Sequence, residues 1–185
     1  MHNAAVMNHP GVGEARIGPN ALIQSVNALR EQYDEARIRS ILHQCDQEAL
    51  LVSLPTTMVA EQAFADLVVA LADQLGVAEA RKILWRAGQL TAGYLLHHRI
   101  PRPFQWLLRP LPHRPALRLL LLAVGKHAWT FVGSGQFSYV VGQTPELTVL
   151  TRLDPGEAVC GFYGGTFDHL IHKLIAAQAQ TTVTT

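Results

Sequence analysis

Residues 97–114, HHRIPRPFQWLLRPLPHR, bring together four arginines, four prolines, three histidines and a tryptophan without one carboxylate. The imbalance extends beyond this stretch. From residue 80 to residue 145 there is no Asp or Glu, yet nine of the fifteen Lys and Arg residues lie there. Arginine outnumbers lysine among them by seven to two. A guanidinium is a planar fork that grips carboxylates and phosphates with two hydrogen bonds and stacks on flat rings. Trp85, Trp106 and Trp129 fall in the same span. A flat ring bearing carboxylates suits this combination. Two readings stand side by side. Either carboxylates from residues 34–48 and 61–79 fold onto the basic span, or it meets an outside anion or an anionic membrane surface. Nucleic acid is not expected, because the arginines sit within apolar helical stretches and form no polar stripe or recognition motif.

The remaining chemistry-bearing residues give weaker signals. His97 and His98 end a helix, where interaction with the helix dipole alone accounts for them. His169 and His172 stand three apart on one helical face, but no carboxylate shares that spacing. Cys45 and Cys160 are alone and far apart in sequence, so they suggest neither a metal-ligand pair nor a disulfide framework. The glycine pairs GVG (11–13) and GSG (133–135) do not complete a dinucleotide-binding fingerprint. Two lone cysteines cannot hold an iron–sulfur cluster.

These residues must be positioned by helices for the most part. With 49% hydrophobic and only 16% charged residues, the 185-residue chain can bury a sizeable core and have apolar surface left over. Its net charge of +1 selects no partner. Residues 1–16 read as a flexible tail and 17–185 as one domain. Helical spacing predicts helices in IGPNALIQSVNALREQY, in DEARIRSILHQC and in TTMVAEQAFADLVVALADQLG, the last capped by Thr56 or Thr57 and ended by Gly76. A helix of about six turns follows in VAEARKILWRAGQLTAGYLLHHR. The prolines then divide PFQWLLR from RPALRLLLLAVGKHAW. FSYVV and ELTVLTRL, joined by GQTP, predict an antiparallel hairpin. GEAVCGFYGGTFDHLIHKLIAAQ returns to helix, with Phe167, Leu170, Ile171, Leu174 and Ile175 as its stripe. Gly164 and Gly165 allow a close backbone approach, or packing of this helix against the sheet. TTVTT reads as a strand beginning. The fold class is α+β, helix-rich with a small antiparallel sheet near the C-terminus. No apolar run reaches the ~18 residues of a membrane span, and no secretory signal pattern opens the chain. The expected location is cytoplasmic, with a peripheral membrane contact open.

Four segments carry a resemblance: RIGPNALIQ, TAGYLLHHRIPRPFQWLLRPLP, HAWTFVGSGQF and VCGFYGGTFDHL. In wording and order they resemble the bacteriochlorophyll 4-vinyl reductase family, the J proteins of bacteriochlorophyll biosynthesis, over residues 16–180. The resemblance implies a vinyl-reductase-type ligand-binding domain, akin to trafficking-complex subunits and to domains associated with haem-based nitric oxide sensors. It implies a homodimer as one arrangement. The family usually continues with a strand pair carrying two cysteines, which this sequence lacks after residue 185. The implied ligand is a magnesium tetrapyrrole, magnesium protoporphyrin or a divinyl (proto)chlorophyllide, with no cofactor of the protein's own. Three roles follow: carrier of that pigment to pathway enzymes, 8-vinyl reductase of a chlorophyll precursor (the older 4-vinyl position), or pigment-free adaptor. As adaptor its partners would be the magnesium chelatase large subunit or the magnesium protoporphyrin methyltransferase. With that ligand in view, Arg99, Arg102 and Arg109 are the candidates for its propionates. Trp106, Trp129 and Phe131 are the candidates for its flat face, and His127 for the axial position on magnesium. Cys160 resembles a family position before the last helix. Each also has a plain structural reading: acid-paired arginines, core aromatics, a backbone-bonded histidine, a small buried thiol.

Overall fold

The computed structural model describes residues 15–184. The chain runs β1 (Arg16–Ile17), α1 (Asn20–Arg30), α2 (Glu35–Gln44), α3 (Ala49–Val52) and β2 (Val59–Ala60). It continues through α4 (Glu61–Leu75), α5 (Val77–His98), α6 (Arg102–Leu108), α7 (His113–Lys126) and α8 (Trp129–Val132). It ends with β3 (Gln136–Val141), β4 (Pro145–Leu150) and α9 (Val159–Leu174). The result is the helix-rich α+β domain that the sequence predicts.

α5 and α9 form the spine. Gly161 and Gly165 stand four apart on one face of α9, and Gly88 faces them from α5. A Cβ on Gly165 would lie 2.1 Å from the carbonyl oxygen of Trp85, and one on Gly161 2.3 Å from that of Arg81. A Cβ on Gly88 would lie 2.2 Å from the carbonyl oxygen of Phe162. The two backbones are therefore in contact. The expected close approach is real, but Gly165 lies against a helix and not against the sheet. The hairpin is too small to back α9, so the long helix takes that place. Gly164 next to it receives the Trp85 ring.

Two cores lie along this spine. The larger joins α1, α2, α4 and the first half of α5, with Leu29, Ile41, Leu42, Leu67, Leu71 and Ile83 wholly buried. Phe64 and Phe162 meet edge to face within it, centroids 5.0 Å apart. The smaller joins the far ends of α5 and α9 to α6 and α7 through Ala92, Leu108, Ala116, Leu120, Leu170 and Leu174. Complete burial of one such leucine stabilises by about 1.5–3 kcal/mol.

Two antiparallel pairs complete the fold. β3 and β4 form the expected hairpin, from Gln136 opposite Leu150 to Val141 opposite Pro145. Phe137, Tyr139 and Val141 turn toward the protein while Gln136, Ser138 and Val140 face solvent, the two-residue period of a strand. The other pair, Arg16 opposite Ala60 and Ile17 opposite Val59, lies far from the C-terminus in sequence and was not foreseen.

That pair explains one departure. Val59 and Ala60 are extended to meet β1, so α4 starts at Glu61 and neither Thr56 nor Thr57 caps it. Gly76 ends it as expected, at φ +80. α7 stops at Lys126, short of the expected Trp129. The chain turns at His127 into α8, where the Thr130 carbonyl accepts the Gly18 N–H at 2.7 Å. Ala15 is buried and Arg16 is paired, so those two residues of the expected tail are part of the fold. The rest of that tail, residues 1–14, lies outside the described residues. Residues 181–184 form no strand; Val183 packs on Gly164 instead, and Arg81 donates to its carbonyl at 3.4 Å.

The spine gives a paired test. Gly165→Ala should lower unfolding stability by about 2–3 kcal/mol or more, because helix backbone cannot move aside cheaply. Gly93→Ala, with nothing within 4 Å of the added carbon, should raise stability by about 0.5–1 kcal/mol. Urea denaturation of both variants checks this; equal effects would show the contact to be looser than described.

Candidate functional site

The basic span is only partly neutralised. Arg86 makes a two-pronged pair with Glu31, at 2.7 and 2.9 Å, and holds the Glu31 carboxyl below its usual range. Lys82 pairs with Glu79 at 2.9 Å. Both pairs sit near the start of α5 and are well exposed, where such contacts are worth under about 1 kcal/mol. Arg118 donates to the carbonyl of Val141 at 3.4 Å. Arg99, Arg102, Arg109, Arg114 and Lys126 are exposed and have neither a carboxylate nor a hydrogen-bond partner among the described residues. The acids of α2 and α4 surround the larger core, at the other part of the spine, and leave the α6–α7 layer uncovered.

The helices of that layer present their cations in order. On α6 and just after it, Arg102, Trp106 and Arg109 are four and seven residues apart and share one face. Leu108 is buried on the other side and Trp106 is 61% exposed. Gln105 fixes the helix by donating to the carbonyls of Leu96 at 2.7 Å and Ile100 at 2.8 Å. On α7, Arg114, Arg118, Leu122 and Lys126 recur every fourth residue, all exposed, while Ala116, Leu117, Leu120 and Leu121 are buried. Trp129 is 50% exposed beyond its end. Trp106 and Trp129 are thus surface aromatics and not plain core.

The other candidates separate from this face. His127 is exposed at the end of α7, its carbonyl taking the Thr130 hydroxyl at 2.7 Å and its ring bonded to nothing among the described residues. It is not a core histidine. Phe131 lies in an aromatic cluster, edge to face with Phe137 at 5.7 Å, while Phe137 stacks on Phe167 at 5.6 Å. Cys160 is half-buried beside the larger core, and burial raises its thiol. Cys45 is pushed up to about 11 by the same cause. His172 bonds the carbonyl of Asp168 at 2.8 Å. Among the described residues no three His, Cys, Asp or Glu side chains are grouped to hold a metal ion.

Nor do the candidates converge on a hollow. One of about 30 Å³ is bordered by Glu61, Phe64, Phe131, Arg152 and Tyr163. Another of about 160 Å³ lies beside Arg30, Tyr33, Glu35, Ile38 and Leu51. Enclosing pockets for small molecules run to roughly 300–1,000 Å³. A macrocycle fits in neither, and the surface that matches the sequence candidates is the open one on α6.

Glu61 is the functional-looking residue that the sequence did not single out. Its carboxylate is buried and accepts both the Ser134 N–H, at 2.6 Å, and the Ser134 hydroxyl, at 2.5 Å. Its own N–H donates to the Ala15 carbonyl at 3.0 Å. Gly133, at φ +56, lies so near that a Cβ would stand 1.8 Å from a carboxylate oxygen. Nearby, the Tyr163 hydroxyl donates to the Phe131 carbonyl at 3.2 Å, and burial raises this phenol. GSG is therefore a seat for Glu61 and not a phosphate loop. An acid at a helix start was visible in the sequence; nothing there paired it with a loop 73 residues on.

Two curated proteins match the chain. The first is the "Bacteriochlorophyll synthase 23 kDa chain" of Cereibacter sphaeroides, 29% identical over 184 residues, covering 94% of this chain and 85% of the relative. The second carries the same name in Rhodobacter capsulatus, at 36% identity over 133 residues, covering 69% of this chain and 59% of the relative. The chain is similar to both of these 23 kDa chains. This likeness agrees with the pathway that the resemblance implied, while neither relative's name carries a vinyl reductase. No protein-family model and no solved structure matches the chain. No helix of the described residues is long and apolar enough to cross a membrane.

The Glu61 seat is testable by stability. Ser134→Ala leaves a buried carboxylate short of one donor and should cost about 1–3 kcal/mol. Gly133→Ala should cost more, from strain and collision together. Thermal melts that place Gly133→Ala above Ser134→Ala would contradict this geometry.

Proposed function

We propose that this protein serves bacteriochlorophyll biosynthesis by binding a magnesium tetrapyrrole, magnesium protoporphyrin or a divinyl (proto)chlorophyllide, and presenting it to pathway enzymes. The observation that carries the reading is the α6 face. Arg99, Arg102 and Arg109 meet no carboxylate among the described residues, and an exposed tryptophan stands between the last two. A tetrapyrrole with propionates offers what that face lacks: carboxylates at its rim and a broad aromatic plane. The plane would lie on Trp106 while guanidinium forks take the rim. In this reading His127, exposed at the end of α7, is the proposed ligand to the magnesium ion. An open face also suits hand-over, since a cargo held on a surface leaves without opening a core.

Neither described hollow is macrocycle-sized, which favours a second reading, the adaptor. Here the same face docks on the magnesium chelatase large subunit or the magnesium protoporphyrin methyltransferase without pigment. Reduction finds less support. Both thiols are raised by burial, so neither is a ready thiolate, and electrons would have to come from another component.

A titration with magnesium protoporphyrin, read by its Soret band, tests the carrier. The expected outcome is a shifted band at micromolar pigment, weakened about tenfold or more by Arg102→Glu with Arg109→Glu. His127→Ala should alter the band position with little loss of affinity. An unchanged spectrum, together with co-purification of either enzyme, would favour the adaptor instead.

A further inference from the structure

We propose that the outward side of α7, with the exposed apolar residues flanking it, is a docking surface for an anionic lipid bilayer. Arg114, Arg118, Leu122 and Lys126 recur at intervals of four, so they form one stripe along the helix. The opposite side of α7 is buried in the smaller core through Ala116 and Leu120, and α6 is buried in that same core through Leu108. β3 covers part of α7, where Arg118 donates to the Val141 carbonyl at 3.4 Å, while Arg114, Leu122 and Lys126 and the outer side of α6 are exposed. Leu122 is 51% exposed on the stripe, and Leu107 is 54% exposed on α6. Trp106 is exposed on α6 and Trp129 just past the end of α7.

Three features choose lipid as the occupant. First, the charge is of one sign. No acid occurs from residue 80 to residue 145, and these cations make no ion pair among the described residues. A protein partner is normally met by both signs; a sheet of phosphate headgroups is met by cations alone. Second, the exposed apolar side chains are leucine and tryptophan interleaved with arginine. Tryptophan partitions to the headgroup boundary, and such helices lie in the plane of the interface. Third, neither described hollow lies on this face, and Leu122 stands between Arg118 and Lys126 along the stripe. The protein would thus rest on the membrane through one layer, with no helix crossing it. Pigment binding uses Arg99, Arg102, Arg109 and His127, none of them on the α7 stripe, and shares only Trp106 with this surface.

Flotation of the intact chain with vesicles tests it. Vesicles of phosphatidylcholine with phosphatidylglycerol should carry the protein up, and vesicles of phosphatidylcholine alone should not. Binding should fall steeply between low and high salt. Arg114→Glu with Arg118→Glu should weaken it about tenfold or more, and so should Arg114→Gln with Arg118→Gln to a smaller degree. Both variants should keep the parent's circular dichroism and its response to magnesium protoporphyrin. Trp129→Ala should reduce the blue shift of tryptophan fluorescence that vesicles induce. Equal flotation with both vesicle types, no flotation with either, or unchanged binding by a folded charge-reversed variant would overturn the proposal. Loss of the pigment response with vesicle binding intact would sink the carrier reading alone.

Discussion

Where Gly161 and Gly165 meet the carbonyls of Arg81 and Trp85, two helices touch backbone to backbone. Everything else in the molecule is arranged around that contact. It fixes α5 and α9 as a single rod, and the rod is longer than one core can cover. Its first half is wrapped by α1, α2 and α4. Its second half has only α6 and α7 to lean on, each with a proline in its first turn. The inner sides of those two helices complete the smaller core, and their outer sides are left with no further layer.

Charge follows the same division. Carboxylates after α1 and on α2 lie around the larger core and pair there, as Arg86 with Glu31 and Arg39 with Glu35 show. From residue 80 to residue 145 the chain supplies cations but no acids, and neither α2 nor α4 packs over that layer. The unbalanced surface is thus a consequence of which helices wrap which half of the rod. It needs no distortion of the backbone: the cations sit on ordinary helical faces, and Gln105 anchors the first of them to the end of α5.

Much of this was legible in the sequence. Helical spacing found α1, α2, α4, α5 and α9, with α2 and α5 placed to within a residue, because their apolar stripes are long and Gly76 marks a break. β-branched and aromatic residues around GQTP gave the hairpin. The start of α4 was misread because a long-range pairing with Arg16–Ile17 keeps Val59 and Ala60 extended, and local propensity carries no trace of a partner more than forty residues away. The glycines of α9 announced a close approach, but not to which neighbour. The acid-free span was plain, and its alternatives were not. Only three-dimensional packing shows that the acids lie around the other core, and that Trp106 and Trp129 face outward while Phe131 joins an interior cluster. Glu61 escaped notice since burial, and not residue type, makes it unusual.

The two cores have a dynamic consequence. α6 and α7 are held by a handful of small and medium side chains, whereas the other half of the rod is held by a continuous body of leucines and isoleucines. Amide protons of the proline-flanked layer should exchange with solvent through openings that leave α1, α4 and the first turns of α5 closed. The surface that meets a partner would then be able to loosen and re-form on its own, while the body that carries it keeps its shape.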